Sequence, residues 1–296
     1  QALWDIKGKD LGKPVYELLG GPVRDKVRMY THFGGSTPEK AAENAVEKVR
    51  NGWTAIKTVP MPPTNYLEGP KAVKQAAEML RQVREAVGDE IDILLDFHGR
   101  VTPQMAIQYA RAFEPYFPLF IEEPVQSEVP DAMAQVKRAT SIPIATGERL
   151  FNRWGFRRIL ETEAASLLQP DCCHAGGISE VRRIAAMAET YYAGVAPHNP
   201  LGPVSTAACV QIDFAAPDFV IQEIVDPLAI PEAMTFVKEP LSIVDGYILP
   251  PQKPGIGVEV DEAIVVKHQP DFSVDKTRQR IIRYREFHPD GGVADA

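Results

Sequence analysis

The amino-acid sequence predicts an α/β fold, a TIM-type barrel followed by a C-terminal extension. Beyond residue 26, short apolar runs alternate with longer amphipathic segments, as expected for strands that are each followed by a helix. Polar, chemically active side chains recur every 23 to 27 residues, each at or just past the end of an apolar run. A doubly wound open sheet offers a crevice or two at its strand ends, whereas a barrel gathers all of them around one centre. The pattern therefore favours the barrel.

The eight apolar runs have the length of strands, and several are rich in isoleucine and valine. They lack in-out alternation, which fits strands buried on both faces of a parallel sheet. The predicted strands are Val27–Thr31, Ala55–Val59, Ile91–Asp96, Leu119–Glu122, Ile142–Thr146, Ser166–Gln169, Gly194–Pro197 and Phe219–Gln222.

Amphipathic patterns predict helices in most of the intervals between these strands. Thr37-Pro38 and Thr102-Pro103 are helix-start signals, and Gly88 stands where a helix is expected to end. The predicted helices are Pro38–Asn51, Lys71–Val87, Pro103–Glu114, Ala132–Thr140, Gly155–Glu161 and Ser179–Tyr192.

The repeat divides the chain into three predicted parts. The barrel occupies residues 27–225 and is preceded by a helical stretch at residues 1–26. A proline-rich insertion at residues 59–70 follows the second strand and is expected to form an active-site loop. The C-terminal extension, residues 226–296, combines a β-hairpin with a polar tail. The hairpin strands are expected at Gly246–Leu249 and Ile256–Val260.

Composition excludes several classes of function. The 296 residues carry 32 Lys and Arg against 40 Asp and Glu, a net charge of −8, whereas duplex binding needs clustered Lys and Arg. A membrane span would need a run of about 18 apolar residues, which is absent from the sequence. The first residues do not form a secretory signal, and three cysteines do not make a disulfide framework. We therefore expect a cytoplasmic protein with neither a nucleic-acid nor a membrane partner.

Three carboxylates end successive strands and predict a metal site. Asp96, Glu122 and Glu148 converge if their strands are neighbours, and three close negative charges repel each other unless a cation lies among them. Oxygen-only ligands select a hard ion, Mg²⁺ ahead of Mn²⁺ or Ca²⁺. The alternative, three separate ion-paired or capping carboxylates, is less favoured because all three keep the same register. We expect one Mg²⁺ per subunit.

Two histidines are candidate proton-transfer groups. His98 lies two residues beyond Asp96, so both side chains point the same way if the strand continues, and the imidazole then lies beside the metal site. His198 ends the seventh strand and Asp171 the sixth. Neighbouring strands can bring this carboxylate to the imidazole and raise its basicity. The alternative is an ordinary loop aspartate and a solvated histidine.

Four further residues are candidates for supporting the site. Glu223 ends the eighth strand, where it could hydrogen-bond a developing oxyanion if protonated, or bind a substrate hydroxyl. Lys57 is a candidate contact for a substrate carboxylate, or else a salt-bridge partner. A racemase-type base would need a second lysine two residues on, where the chain has Val59. Arg149 and His32 are further candidates for substrate binding, and Arg149 is expected to support the site rather than to react.

Taken together, the strand-end motifs resemble those of the enolase superfamily, within it the mandelate racemase subgroup, and most closely the acid-sugar dehydratases that act on galactonate. The resemblance covers essentially the whole chain, and the joint order and spacing of the motifs are more specific than any one of them. The motifs are DFHGR (96–100), FIEEP (120–124), TGER (146–149), QPDCCHAGG (169–177), PHNPLGP (197–203) and IQE (221–223).

The resemblance implies a modified (β/α)7β barrel and a role for each residue of the site. It also implies that Glu123 points away from the metal. The implied roles are Mg²⁺ ligands for Asp96, Glu122 and Glu148, general base for His198 paired with Asp171, general acid for His98, and support of the intermediate for Glu223.

The implied reaction is the dehydration of a sugar acid, D-galactonate first, to a 2-keto-3-deoxy acid. Members of the family begin with an α+β cap domain, and residues 1–21 resemble the junction between cap and barrel, so we expect the cap to be absent from this chain. The resemblance also implies a homo-oligomer. Two alternatives stay open: a racemase or cycloisomerase on the same metal template, and a degenerate barrel that binds without catalysis.

Overall fold

A parallel β-sheet forms the centre of the structure, a computed structural model that describes residues 1–268. Strands β1 to β7 pair in sequence order, and β8 pairs with β1, where Tyr30 lies opposite Glu223. These parallel strands are β1 Val27–His32, β2 Ala55–Thr58, β3 Asp92–Asp96, β4 Phe120–Glu122, β5 Ile144–Thr146, β6 Leu167–Leu168, β7 Gly194–Val195 and β8 Gln222–Glu223.

Strands β7 and β8 are joined by less strand pairing than the other neighbouring strands of the sheet. Val195 forms a parallel bridge with Phe219. The Val195 amide donates to the Asp218 carbonyl at 2.9 Å, and the Val220 amide donates to the Val195 carbonyl at 2.8 Å. Pairing thus passes from β7 through residues 218–220 towards β8, which pairs with β1. This order of parallel strands is that of a TIM-type barrel, as the sequence predicts.

Helices follow the parallel strands and pack against one another in sequence order. Helix α3 contacts α4, α4 contacts α5, α5 contacts α6, α7 contacts α8, and α8 contacts α9. Within residues 1–268, no helix combines the length and the apolar character needed to cross a membrane. The helices are α1 Ala2–Leu11, α2 Val15–Leu18, α3 Pro38–Arg50, α4 Pro70–Val87, α5 Pro103–Phe113, α6 Pro130–Lys137, α7 Asn152–Glu161, α8 Ile178–Glu189, α9 Pro203–Ala215, α10 Pro231–Met234 and α11 Glu262–Lys267, with a 3₁₀ helix at Glu114–Tyr116.

The predicted helix ends are confirmed by their capping contacts. Thr37 accepts a hydrogen bond from the Lys40 amide at 3.2 Å at the start of α3. Thr102 accepts one from the Met105 amide at 3.4 Å at the start of α5. These side chains satisfy amides that the first turn of a helix leaves without a partner. Gly88 caps α4 with a φ of 76°.

Helix α9 is a barrel helix that the amphipathic patterns do not predict. Its residues 205–214 are buried all round, because α2, α8 and β1 pack against it. A helix enclosed on every side needs no polar stripe, so its sequence lacks the periodic signal of a surface helix.

The hairpin of the C-terminal extension lies earlier than the sequence prediction places it. Strand β9, Ile243–Val244, pairs antiparallel with β10, Tyr247–Ile248. Asp245 and Gly246 connect them with φ values of 49° and 74°. Positive φ at both central residues is the requirement of a type I′ hairpin turn, which Asp-Gly meets well.

The two hairpin strands predicted from the sequence are therefore wrong as a pair. Ile256–Val260 does not pair with the Tyr247 strand; Val260 instead bridges Val237 in antiparallel fashion. The intervening PPQKPG segment carries three prolines, which cannot donate to a strand ladder. Strand β10 pairs with β1, so the extension extends the barrel sheet. The predicted polar tail beyond residue 268 lies outside the described residues.

A separate core cluster fills the barrel interior and forms the floor beneath the strand ends. The larger core packs between the sheet and the helices, whereas this inner cluster draws on residues in or beside each parallel strand in turn. Its members are Tyr30, Ala55, Leu94, Phe120, Ala145, Leu167, Ala196 and Ile221.

Candidate active site

The residues two positions beyond the inner core cluster form the next layer of the barrel interior. Side chains alternate along a strand, so residues two apart share a face. On β1, β2, β3, β4 and β8, and just after β7, this step reaches chemically active side chains at the C-terminal ends. They are His32, Lys57, Asp96, Glu122, Glu223 and His198. All of these are residues that the sequence singled out.

The three carboxylates predicted to hold a metal lie together. Asp96 and Glu122 are register partners across β3 and β4, and one oxygen each of Asp96, Glu122 and Glu148 lies within 4.8 Å of the others. Glu148 follows β5 after Gly147, whose φ is 151°. A Cβ at Gly147 would lie 2.8 Å from the Gln169 backbone, so the close approach of this turn to the next strand requires glycine.

The electrostatics of the triad favour a bound cation. Burial and the charge of Asp96 raise the pKa of Glu122 well above its usual value. Among the described residues, no hydrogen-bond partner reaches the buried Glu122 Oε1. Buried like charges with a spare oxygen are what a hard divalent ion would neutralise, since such ions take oxygen ligands. The residues therefore fit a divalent metal.

Lys57 joins the triad to the opposite side of the barrel. Its Nζ lies 2.8 Å from Glu122 Oε2, 2.6 Å from Glu223 Oε1 and 3.3 Å from Asp96 Oδ2. Burial opposes the charge of this lysine, but the carboxylates around it outweigh burial and raise its pKa well above the usual value. Lys57 is therefore a fixed cation in the barrel mouth.

Glu223 is held by donors on both of its oxygens. Oε1 also lies 2.8 Å from His32 Nε2, and Oε2 accepts a hydrogen bond from the Asn199 amide at 2.8 Å. Burial opposes its charge, but Lys57 and the His32 contact hold the pKa of Glu223 well below the usual value. Glu223 is therefore an ionised hydrogen-bond acceptor. The sequence reasoning missed Asn199, although it lies in the PHNPLGP motif.

The structure brings His198 and Asp171 together. His198 Nδ1 lies 2.8 Å from Asp171 Oδ2, which leaves Nε2 towards the triad, 3.3 Å from Glu148 Oε2. Asp171 Oδ1 accepts the Cys173 amide at 2.6 Å. Burial alone would lower the pKa of His198, but Asp171 and the charges of Glu223 and Glu148 raise it to about 9.

His98 contacts the triad at Asp96, whereas His198 contacts it at Glu148. Its Nε2 lies 3.0 Å from Asp96 Oδ2, and its amide donates to Asp96 Oδ1 at 2.8 Å. The two imidazoles thus contact different carboxylates, His98 at Asp96 and His198 at Glu148. The arrangement puts two groups able to move protons beside one cluster.

Arg149 contacts the triad and the groups beside it, with its Nε 3.5 Å from Glu148 Oε1. Its Nε lies 3.0 Å from Glu123 Oε2, and Nη2 donates to the His98 carbonyl at 2.9 Å. Glu123 is fully buried, and burial with the charge of Glu148 raises its pKa to about 8 despite Arg149. The sequence named Arg149 but missed its pairing with Glu123, because no spacing rule predicts where a strand-end arginine points.

The proline-rich insertion borders a cavity separate from these residues. The Thr102 hydroxyl donates to the Tyr66 carbonyl at 3.2 Å, which ties the loop to the start of α5. A cavity of about 890 Å³ lies between this loop and the helices α3 and α4, lined among others by Gly35, Met61 and Met79. None of the predicted site residues lines that cavity. That the loop serves the active site remains a prediction.

The chain matches a known family over most of its length. The family model described as enolase C-terminal domain-like covers residues 40–264. A D-galactonate dehydratase of Ralstonia pickettii (strain 12J) is 43% identical over 305 aligned positions, which span all of this chain and 77% of that relative. A D-galactonate dehydratase of Pectobacterium atrosepticum is 41% identical with the same coverage.

Solved structures show the same relationship. A member of the enolase superfamily from Salmonella Typhimurium superposes with a TM-score of 0.85 at 36% identity, covering 90% of this chain and 73% of that one. A mandelate racemase/muconate lactonizing enzyme from Sulfitobacter sp. gives a TM-score of 0.84 at 39% identity, covering 90% of this chain and 70% of that one.

Proposed function

The chain belongs to the enolase superfamily, and we propose that it dehydrates a sugar acid, D-galactonate first, to a 2-keto-3-deoxy acid with Mg²⁺ as cofactor. The observation that carries the proposal is the pair of imidazoles, His98 and His198, that contact different members of one carboxylate triad. Elimination needs a base for the proton at C2 and an acid for the hydroxyl at C3. Relatives named D-galactonate dehydratase, at 41% and 43% identity over the whole chain, support the same reaction class.

Asp96, Glu122 and Glu148 would hold the metal. A divalent cation held there would supply positive charge beside the substrate carboxylate and would offset the charges that hold the pKa of His198 high. The choice of Mg²⁺ rests on the oxygen-only ligand set. Lys57, which contacts two of the three carboxylates, adds a second fixed positive charge for the substrate carboxylate.

His198 is proposed as the general base. Asp171 engages Nδ1, so the ring is oriented with Nε2 towards the carboxylate triad. In this orientation Nε2 takes the C2 proton, and Asp171 stabilises the imidazolium that results. The electron pair of the C–H bond moves towards the substrate carboxylate and forms the enolate.

His98 is proposed as the general acid. The electron pair of the enolate returns to form the C2–C3 double bond, the C3–O bond breaks, and His98 gives its proton to the departing hydroxyl, which leaves as water. The enol that remains then gains a proton at C3 and loses the proton of its C2 hydroxyl, and so becomes the 2-keto acid. Base and acid thus stand on different strand ends, at β7 and β3.

Glu223 and His32 are proposed to position the substrate. The depressed pKa of Glu223 makes it an acceptor, which supports binding of a substrate hydroxyl over donation to an oxyanion. His32, 2.8 Å from Glu223 and about one-third exposed, can contact the same hydroxyl region. The small-molecule partner is accordingly a polyhydroxylated monocarboxylic acid.

The test is product analysis with the purified chain, Mg²⁺ and a set of sugar acids that differ at C2 to C5. We expect a 2-keto-3-deoxy acid, trapped with semicarbazide, from D-galactonate and less from its epimers. Loss of the product with a chelator supports the metal. An epimer alone as product would contradict dehydration and favour the racemase alternative, and binding without any turnover would favour the non-catalytic one.

A further inference from the structure

The turn after β3 carries His98 in an unusual backbone conformation. His98 has a φ of 51° and Gly99 one of 67°, so two successive residues are left-handed. Residues with a Cβ rarely adopt this region, so neighbouring groups have to hold the turn. The His98 amide donates to Asp96 Oδ1, and the Gly99 amide donates to the Glu123 carbonyl at 2.8 Å. These bonds leave the His98 carbonyl to be held by another donor.

Arg149 supplies that donor and crosslinks the turn to the next two strand ends. Its Nη2 donates to the His98 carbonyl at 2.9 Å, and its Nη1 donates to Gln126 Oε1 at 3.3 Å. Gln126 in turn donates to the Gly99 carbonyl at 3.1 Å. A planar guanidinium presents its donors in a fixed fork, which suits it to hold several acceptors at set angles. One side chain therefore ties the turn after β3 to residues that follow β4 and β5.

The ion pair with Glu123 offers a simpler explanation of the same arginine. Glu123 is 0% exposed, and a buried carboxylate needs a partner. If charge balance were the whole role of Arg149, removing both charges together would make the arginine dispensable. The bond to the His98 carbonyl would be lost in that double change, so the two roles are separable by experiment.

We propose that Arg149 is a positioning residue for His98: it fixes the left-handed turn through the His98 carbonyl, so that the imidazole Nε2 stays beside Asp96. The inference rests on the proposed function, in which His98 is the general acid. It assigns Arg149 to protonation of the leaving group rather than to binding of the substrate.

The test compares two leaving groups at C3 of the sugar acid, hydroxide and fluoride, in Arg149→Lys and Arg149→Met. Fluoride leaves without a proton from the enzyme, whereas hydroxide needs one. We expect loss of hydroxide to fall about 100-fold, the low end of general-acid contributions, with KM little changed and fluoride loss near wild type. An equal fall with both leaving groups, or a rise in KM alone, would overturn the proposal.

Two further variants control for folding and for charge. Arg153→Lys changes an arginine that pairs with Glu180 in the outer helices, and we expect no effect on either leaving group. The double variant Glu123→Gln with Arg149→Met removes both members of the Arg149–Glu123 contact. We expect this variant to fold and to eliminate hydroxide from the sugar acid as slowly as Arg149→Met does. Elimination at the wild-type rate would assign Arg149 to charge balance alone and overturn the proposal.

Amide hydrogen exchange of residues 97–100 gives a readout that needs no turnover. We expect exchange to rise roughly tenfold in Arg149→Met and to stay unchanged in Arg153→Lys, because only the first change loosens the turn. If the wild-type chain eliminates neither group, the proposed function fails, yet the exchange still tests the contact. Unchanged exchange at residues 97–100 would contradict the positioning role.

Discussion

Buried charge is handled in opposite ways in the barrel mouth and in the outer helix layer. In the mouth, Asp96, Glu122 and Glu223 share the single ammonium of Lys57. In the outer layer, by contrast, the single carboxylate of Glu180 pairs with two arginines, Arg153 and Arg183. One region leaves negative charge in excess and the other neutralises it.

The contrast indicates which region is arranged for chemistry. Glu180 of α8 accepts hydrogen bonds from Arg153 at 2.7 Å and 2.9 Å and from Arg183 at 3.2 Å, which pins α7 to α8. A carboxylate with this many donors stabilises the fold. Excess buried charge costs stability, and folds keep it where a ligand will use it.

The largest effect is expected from His198→Asn in the mouth. Removing the base lowers α-proton exchange and dehydration by about 10³-fold, the middle of the range for general bases. The variant also leaves the buried Asp171 without its imidazole partner and should lose some stability, so the two proteins are compared at a temperature at which both are folded. Loss of the C2–H signal in D₂O, followed by ¹H NMR, measures the exchange. Exchange at the wild-type rate would show that another group is the base.

The second effect is stabilisation by metal. At a Mg²⁺ concentration of 100 times Kd, a site present only in the folded state adds about 2.7 kcal/mol to the free energy of unfolding. For a chain of this size that corresponds to a rise in Tm of about 4 °C. A thermal melt with Mg²⁺ and with chelator measures it. Glu148→Gln should remove the rise and Glu180→Gln should keep it, so an equal rise in both would contradict the triad as the site.

A third effect tests the outer layer. Glu180→Gln removes a charge that pairs with two arginines. We expect the free energy of unfolding at pH 7 to fall by about 1 to 2 kcal/mol, near the low end for hydrogen bonds to charged groups because both arginines are more than a third exposed. Urea unfolding measures the change. Dehydration should be unaffected, because Glu180 lies on the helix layer and not at the strand ends. A loss of activity without a loss of stability would contradict the assignment of Glu180 to the stability of the fold.

The same pair predicts a dependence on pH. The Arg153 hydrogen bonds lower the pKa of Glu180 from 4.5 to about 2. A carboxyl with a depressed folded-state pKa stabilises the fold above the unfolded pKa, and the contribution is lost as pH falls through the folded one. The stability gap between wild type and Glu180→Gln should therefore be complete above about pH 5 and close towards pH 2. A gap that stays constant down to pH 2 would contradict the pairing.

The smallest effect is a gain in stability in the mouth. Glu122→Gln removes one of the crowded charges while Lys57 keeps its contacts to Asp96 and Glu223. Without metal we expect the free energy of unfolding to rise by about 1 kcal/mol, because one of three buried carboxylates that share one ammonium is replaced by a neutral isostere. Urea unfolding in the presence of chelator checks the sign. A loss of stability as large as that of Glu180→Gln would remove the contrast between the regions.

The sequence predicted the parts of the fold that follow from hydrophobic periodicity and from the position of polar residues after apolar runs. The strand ends could be found because a polar side chain after an apolar run marks the C-terminal edge of a parallel strand, as at Asp96 and Glu122. The capping threonines of α3 and α5 were readable for the same local reason. Helix α9 was not, because its burial on all sides removes the amphipathic signal.

What could not be predicted depends on the direction in which side chains point in the folded structure. Nothing in the sequence says that Arg149 turns to Glu123 and the His98 carbonyl, or that the Asn199 amide reaches Glu223. The hairpin shifted because the Asp245-Gly246 turn outweighs the proline-rich segment that the sequence pattern favoured. The division of the chain at residues 26 and 225, the roles of the site residues and the homo-oligomeric state remain predictions.

The central claim is that base and acid are separate residues around one metal site, and His98→Asn tests it most directly. The variant, with Mg²⁺ and D-galactonate in D₂O, is followed by ¹H NMR for C2–H exchange and by semicarbazide for keto acid. We expect exchange to continue while keto-acid formation falls by about 100-fold or more, because only the acid is lost. Keto-acid formation at the wild-type rate would contradict the claim, and so would a loss of both C2–H exchange and keto-acid formation.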